Sequence, residues 1–394
     1  MNNFGTLYLY ELKKICMRKI AWITMGILII LTLFMGIIVP VTDSHSLTIG
    51  QDNVTMDGLE YIAYEKENAE SLSGQKIDDV LLQGVKEAYQ RLHTVSAEER
   101  QQYKEIYSYV YDIMGNYEAL DTINEEILYQ TRLTNIQNNW IRQGLSEAEK
   151  EYWLEKEKTV ETPFVYGYAK GWEIILEEFL TLNFMLMLAI AVCLSNVFSD
   201  EHLRKTDQLV LCSKNGKKTL FPAKIAAGVT FGMACGIILL LLVIISTLCI
   251  YGTEGFDVAV QVYLSRCSWN ISMGQAVMMM SAVYIAASIF CSIITMFLSE
   301  AIQNGVAVMG IMTGSMIVTM LISIPYRFRV ISQVYELLPT VLLKVWQLWD
   351  NRLVNFLGTY FTNFQIAPFL YLLISAILVL RGNYLYKNFQ VSGR

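Results

Sequence analysis

The chain has 394 residues, of which 54% are hydrophobic, and its mean hydropathy is +0.38. That load excludes an ordinary soluble domain and is what a polytopic membrane protein requires. The formal net charge of −6 averages over segregated charges, because most of the acid falls in one polar stretch. Seven cysteines (Cys16, Cys193, Cys212, Cys235, Cys249, Cys267 and Cys291) are scattered, and none lies between Asp43 and Gly171. No disulfide framework is therefore expected. No Cys/His cluster has zinc spacing, and His45, His93 and His202 are too dispersed for a metal site.

Residues 1–20 carry Tyr8, Leu9, Leu12, Ile15, Cys16 and Ile20 at helical spacing beside Lys13, Lys14, Arg18 and Lys19. This predicts an amphipathic helix on the cytoplasmic membrane surface, leading into a span. The first span, within residues 21–42, holds no charge from Trp22 to Val41 and is long enough to cross a core of ~30 Å. It lacks the small-residue cleavage pattern of a signal peptide, so it is expected to be retained. Residues 43–171 form a polar, acidic insert, predicted to be an extracytoplasmic domain of three to five helices. Ile77, Val80, Leu81, Val85, Ala88, Tyr89 and Leu92 fall on one helical face, as do Ile106, Tyr109, Val110, Ile113, Met114, Tyr117 and Leu120. Ser96–Glu99 and Ser146–Glu149 read as capping boxes that start helices near Ala97 and Glu147. The Tyr content is expected mainly in the core.

Residues 172–394 hold five further apolar runs. The second span follows Glu173, Glu177 and Glu178, which either lie at the outer interface or face a cavity mouth, the interface being the favoured place since only deeply placed ionisable groups are functional by default. The third runs from Ile225 to Tyr251, with Gly228, Gly232 and Gly236 in register for close helix contact. The fourth lies within Cys267–Ser299. The fifth follows a five-residue turn, Glu300–Asn304, runs to Pro325, and repeats the spacing at Gly310 and Gly314. Residues 326–363 hold Arg327, Arg329, Lys344 and Arg352 on the outer side, against the charge bias of membrane loops. This Trp-rich segment is predicted to dip into the outer leaflet as a helix or two. The sixth span lies within Val354–Leu380. The fold class is thus an all-α polytopic membrane protein: six transmembrane helices, a large helical extracytoplasmic insert between the first and second, and both termini cytoplasmic.

Between the second and third spans, residues 198–224 read FSDEHLRKTDQLVLCSKNGKKTLFPAK, basic and too patterned for a bare turn. Positive charge places the loop in the cytoplasm. It resembles the first cytoplasmic loop of the ABC-2 type permeases, the membrane subunits of ABC exporters. An aromatic and an acid end the second helix (Phe198, Glu201). A basic residue and Thr follow (Lys205, Thr206), then Leu-rich text (Leu209, Leu211), a basic patch (Lys217, Lys218), and a Lys opening the next helix (Lys224). The chain departs from that pattern in having Lys205 before the Thr and Cys212–Gly216 in place of Pro-Arg. The resemblance implies contacts to a separate ATPase subunit from Glu201, Arg204, Lys205, Thr206, Leu209, Leu211, Lys217, Lys218 and Lys224. It also implies short re-entrant helices before the last span and a second permease copy or paralogue as partner.

No GxxxxGK[ST] occurs, so ATP and Mg are expected on the partner ATPase, with no cofactor in this chain. No HExxH or GxSxG occurs either, so the subunit is expected to be non-catalytic. No ionisable residue lies inside the spans as drawn, which argues against an ion-coupled carrier. The expected function is export of an amphipathic peptide, antimicrobial or lipid-like molecule across the plasma membrane, with no nucleic-acid partner. The alternatives are a membrane-anchored sensor or receptor with a ligand-binding extracytoplasmic domain, and an ion-coupled carrier.

Overall fold

The computed structural model describes residues 3–49, 52–90, 102–203 and 218–388. Among these, five helices are long and apolar enough to cross a bilayer. They span Lys19–Thr42 (α2), Lys170–Glu201 (α8 with α9), Leu220–Tyr251 (α10), Met273–Ile302 (α11) and Asn363–Asn388 (α15). The chain is a membrane protein by this measure. The fifth expected span appears as a shorter apolar helix, Gly305–Leu321 (α12), about 25 Å long at 1.5 Å per residue.

The bundle core packs α8 against α10 and α11, with α15 along α11. The glycine strip of α10 supplies the closest approach. A Cβ at Gly232 would lie 2.0 Å from Ser292 Oγ, and one at Gly228 would lie 2.2 Å from Met296 Sδ. Only glycine lets the backbones of α10 and α11 meet this closely. Gly310 and Gly314 of α12 behave differently. A Cβ at either meets nothing within 4 Å, so their spacing serves no contact among the described residues.

The first helix, Asn3–Cys16 (α1), forms as its periodicity predicts. It lies against α10, where the Tyr8 hydroxyl donates to Thr230 Oγ1 at 3.1 Å. The first span is peripheral, and Trp22, Ile23, Ile27 and Ile30 are all exposed. Its regular hydrogen bonding lapses into a π turn at Phe34–Ile38.

The insert opens with a two-stranded antiparallel hairpin, Ser44–Ile49 (β1) and Asp52–Asp57 (β2), rather than a helix. The β-formers Thr48, Ile49, Val54 and Thr55 were its sequence signal. Among the described residues five α-helices follow: Gly58–Glu70 (α3), Asp79–Gln90 (α4), Lys104–Met114 (α5), Glu125–Gln143 (α6) and Glu147–Glu157 (α7). Asp57, Asn124 and Ser146 cap α3, α6 and α7 with their side chains, and Ser146–Glu149 closes as a full capping box. The Ser96 box and Leu92 lie outside the described residues. Ile77, Leu81, Val85, Ile106, Val110 and Ile113 form the core, each at 4% exposure or less. Full burial of such a side chain contributes about 1.5–3 kcal/mol. Val80 is the exception at 82% exposure, and Leu82 at 1% takes its place inward. Tyr109, Tyr166 and Tyr168 are core residues, whereas Tyr111 and Tyr117 stack on the surface.

Residues 326–363 contain two short helices, Arg329–Glu336 (α13) and Pro339–Leu342 (α14). A hairpin of Val354–Phe356 (β3) and Thr359–Phe361 (β4) follows. The last long helix starts at Asn363, at the expected end of the outer segment, and the hairpin fills the residues before it. Its turn, Leu357-Gly358, has φ of +53° and +85°, a left-handed geometry that ends any helix and suits glycine. With two hairpins present, the fold is mostly rather than wholly helical.

Candidate functional site

At the bundle end opposite the insert, five stretches of sequence converge. The joint is the break between Lys170–Leu194 (α8) and Asn196–Leu203 (α9) at Ser195. A broken helix leaves backbone groups without partners. Here Ser299 of α11 supplies them: its hydroxyl donates to Ser195 O at 2.6 Å and accepts from Phe198 N and Ser199 N at 3.2 Å each. Gly305 opens α12 against this joint. A Cβ there would lie 1.7 Å from Asn196 Oδ1, so no larger residue fits unless the Asn196 side chain moves. The tight turn before it closes through Gln303 at φ +58° and Asn304, whose side chain caps α12 by accepting from Val306 N and Ala307 N.

The joint carries an ion network. Lys224 of α10 is fully buried, and its Nζ lies 2.6 Å from Glu201 Oε1 on α9. It also donates to Val197 O at 3.3 Å and sits 4.9 Å over the Phe198 ring. Lys14 of α1 reaches the same Glu201 oxygen at 3.0 Å, and Glu11 lies 3.7 Å from Lys14. One turn away, Arg18 pairs with Asp200 at 3.2 Å and donates to Asn196 O at 3.3 Å. Phe198, Phe221 and Tyr386 of α15 form an aromatic floor with ring centroids 5.4 to 6.0 Å apart. A charge buried as deeply as Lys224 is tolerated only because it is paired. The network therefore locks α1, α9 and α10 together, with α11 and α15 beneath.

Of the residues the loop pattern singled out, Glu201 and Lys224 are thus brought together, bound to each other. Lys218 is exposed in the turn before α10. Arg204, Lys205, Thr206, Leu209, Leu211 and Lys217 lie outside the described residues. Both exits of that stretch leave from this joint, at Leu203 and Lys218. Sequence reasoning missed Lys14, Arg18, Asn196, Ser299 and Gly305 as members. The basic end of α1 and a glycine after a five-residue turn were the signals available.

At the insert end, the polar domain is seated on the outer connections of the bundle. Arg132 of α6, 3% exposed, donates to Ser265 O at 2.9 Å and Cys267 O at 3.0 Å while pairing with Glu157. Gln143 Nε2 donates to Trp349 O at 3.0 Å, and Asn351 N donates back to Gln143 Oε1 at 2.9 Å. Glu149 pairs with Arg329 and accepts from Leu353 N at 2.9 Å. Burial pushes the Glu149 carboxyl up, but the bonds from Arg329, Leu353 and Ser146 outweigh it and hold the group below its ordinary range. Arg352 is fully buried between Asp350 and Glu336, with the Tyr326 ring 4.6 Å away. Arg329 and Arg352, two of the four basic residues that oppose the charge bias of this segment, are therefore neutralised in place. Burial raises the Asp350 carboxyl.

Two of the cavities among the described residues bear on function. An open one of about 1050 Å³ lies on the insert between residues 159–168 and 253–259, walled by Phe164, Tyr168 and Phe256 and rimmed by Glu70, Glu161 and Asp257. The second, of about 290 Å³, lies among α2, α8 and α10. No protein-family model matches this chain, and no curated protein or solved structure does either.

Proposed function

We propose that this chain is the permease subunit of an ATP-driven exporter of the ABC-2 type, working with a second permease copy or paralogue and two separate ATPase subunits. The observation that carries the reading is the joint at Ser195. The loop that resembles an ATPase-contacting loop leaves and re-enters the bundle there, beside a buried Glu201–Lys224 pair. A push on the loop would move α1, α9 and α10 as one body, which is what rigid-body coupling of ATP hydrolysis to the spans requires. In this reading the loop and both termini are cytoplasmic and the insert is extracytoplasmic. Gly310 and Gly314, open on α12, are available to the second permease. Lys224 and Glu178 lie toward the ends of spanning helices, and no described Asp, Glu, Lys, Arg or His stands at the centre of one, which disfavours an ion-coupled carrier.

The test is purification of the tagged chain from its native membrane, with mass spectrometry of what accompanies it and an assay of ATP hydrolysis. The expected result is a P-loop polypeptide in stoichiometric amount. Reversal of Lys217 and Lys218 to Glu should reduce its recovery while leaving insertion intact. Recovery unchanged by that reversal, or no P-loop polypeptide, refutes the reading. The acid-rimmed cavity on the insert favours one second reading, a receptor whose insert binds a cationic ligand. That reading predicts ligand binding with no associated ATPase.

A further inference from the structure

The smaller cavity sits where the helices are least regular. Its walls come from α2, α8 and α10, and α2 passes it in the π turn Phe34–Ile38. A π turn widens a helix locally and is frequent at functional sites. Gly36, inside that turn, comes so close to α10 that a Cβ would lie 3.0 Å from Ser246 Oγ. The lining is mostly apolar with a few hydroxyls, Thr32, Thr181, Ser246 and Thr247 among them, and its single charged residue is Glu178. Among the described residues no Lys, Arg or His lines it. The helix that carries Glu178 begins at Lys170, so the side chain sits about 12 Å along it. A helix of 32 residues is about 48 Å long, which leaves Glu178 just inside one edge of a ~30 Å apolar layer. The cavity's outer wall is thin: Met35 and Val39 of α2 are 49% and 41% exposed on its lipid-facing side.

We propose that this cavity binds the head of a single-chain cationic amphiphile, with Glu178 as counter-ion and the tail leaving between α2 and its neighbours toward lipid. The chemistry fixes the class. One carboxylate with no cation opposite, in an apolar pocket with a few hydroxyls, selects an ammonium head over a sulfate or phosphate. The volume, that of about ten waters, holds an ammonium group and a few methylenes, not a two-tailed lipid. The Glu178 position thereby becomes a specificity element rather than an interfacial acid. The inference gives the exporter reading a cargo class but is tested without the ATPase, so either can fail alone.

The experiment uses the full chain in proteoliposomes and a dodecyltrimethylammonium probe carrying a diazirine near its head. After irradiation, crosslinked peptides are mapped by mass spectrometry. Labelling is expected on the Met35–Pro40 segment and around Met185. Excess dodecyltrimethylammonium should suppress it about tenfold, and excess dodecyl sulfate should not. Glu178→Gln should remove the label, and Glu178→Asp should retain it. If Glu178→Gln does not fold, the competition contrast on the native chain decides. Labelling spread evenly over lipid-facing residues such as Leu373 and Ile377, or competed equally by both detergents, overturns the proposal. So does competition by phosphatidylethanolamine in the vesicle but not by the free amphiphile, which would make the occupant a bilayer lipid.

Discussion

Glu201 and Lys224 make unequal demands on each other, and that asymmetry can be measured. Replacing Glu201 by Gln leaves Lys224 fully buried without its facing carboxylate, with Val197 O, a neutral amide oxygen and the Phe198 ring beside it and only the more distant charge of Glu11 opposing its own. An ammonium stranded in this way costs about 3–5 kcal/mol. Because the Glu201 side chain is 12% exposed, water can reach the site and the low end, about 3 kcal/mol, is the working value. Replacing Lys224 by Met is milder. Glu201 keeps Lys14 at 3.0 Å, so what is lost is one charged hydrogen bond, about 1.5–3 kcal/mol, partly offset by the apolar side chain. The double variant Glu201→Gln/Lys224→Met strands nothing and should be more stable than Glu201→Gln alone, with a coupling energy of about 1–3 kcal/mol. The assay is thermal unfolding in detergent, followed by a thiol-reactive dye that reports exposure of the buried Cys193, Cys235 and Cys291. At roughly 2–4 °C per kcal/mol, Glu201→Gln should lower the midpoint by about 6 °C or more, and the second substitution should recover several degrees. Equal losses from the two single variants, adding in the double, would show that Lys224 is not held by Glu201 and would remove the joint from the argument.

Three further outcomes are expected. In the glycine strip, Gly232→Ala should destabilise by about 1–3 kcal/mol through overpacking. Ser292→Ala should rescue it, while Gly236→Ala, whose nearest contact would be 3.4 Å, should be neutral or stabilising in the same thiol-exposure assay. At the insert, the Glu149 carboxyl is held below its ordinary value. Its contribution is therefore present above the unfolded-state pKa near ~4.3 and disappears as the pH falls through the lower folded value. Thermal midpoints at pH 7, 5 and 3.5 should fall more steeply for the native chain than for Glu149→Gln, and parallel curves would count against the Arg329 seat. For topology, a single Cys at the exposed Glu155 in a chain without native cysteines should react with an impermeant maleimide in intact cells. Labelling only after lysis would put the insert on the other side.

The sequence by itself determined what the solvent preference of each stretch dictates. Charge-free runs such as Trp22–Val41 had to become membrane-length helices, and a residue pattern such as Ser146–Glu149 needed only local geometry to start one. Spacing was enough to put Gly228, Gly232 and Gly236 on one face, because side-chain direction on a helix follows from its period. Tertiary structure alone decided which faces met. Gly310 and Gly314 have the same spacing yet pack against nothing among the described residues, since a small-residue face is a permission for contact and not a cause of it. Lys224 and Glu201 looked like surface charges of a loop, and Lys14 and Arg18 like an orientation signal. Pairing among residues about two hundred positions apart made one buried network of them. Long-range electrostatics leaves no periodic trace in sequence. The same holds for Arg352, which read as an exception to charge bias until burial between Asp350 and Glu336 neutralised it. It holds also for Glu178, whose place in a cavity depends on a π turn in a helix remote from it in sequence.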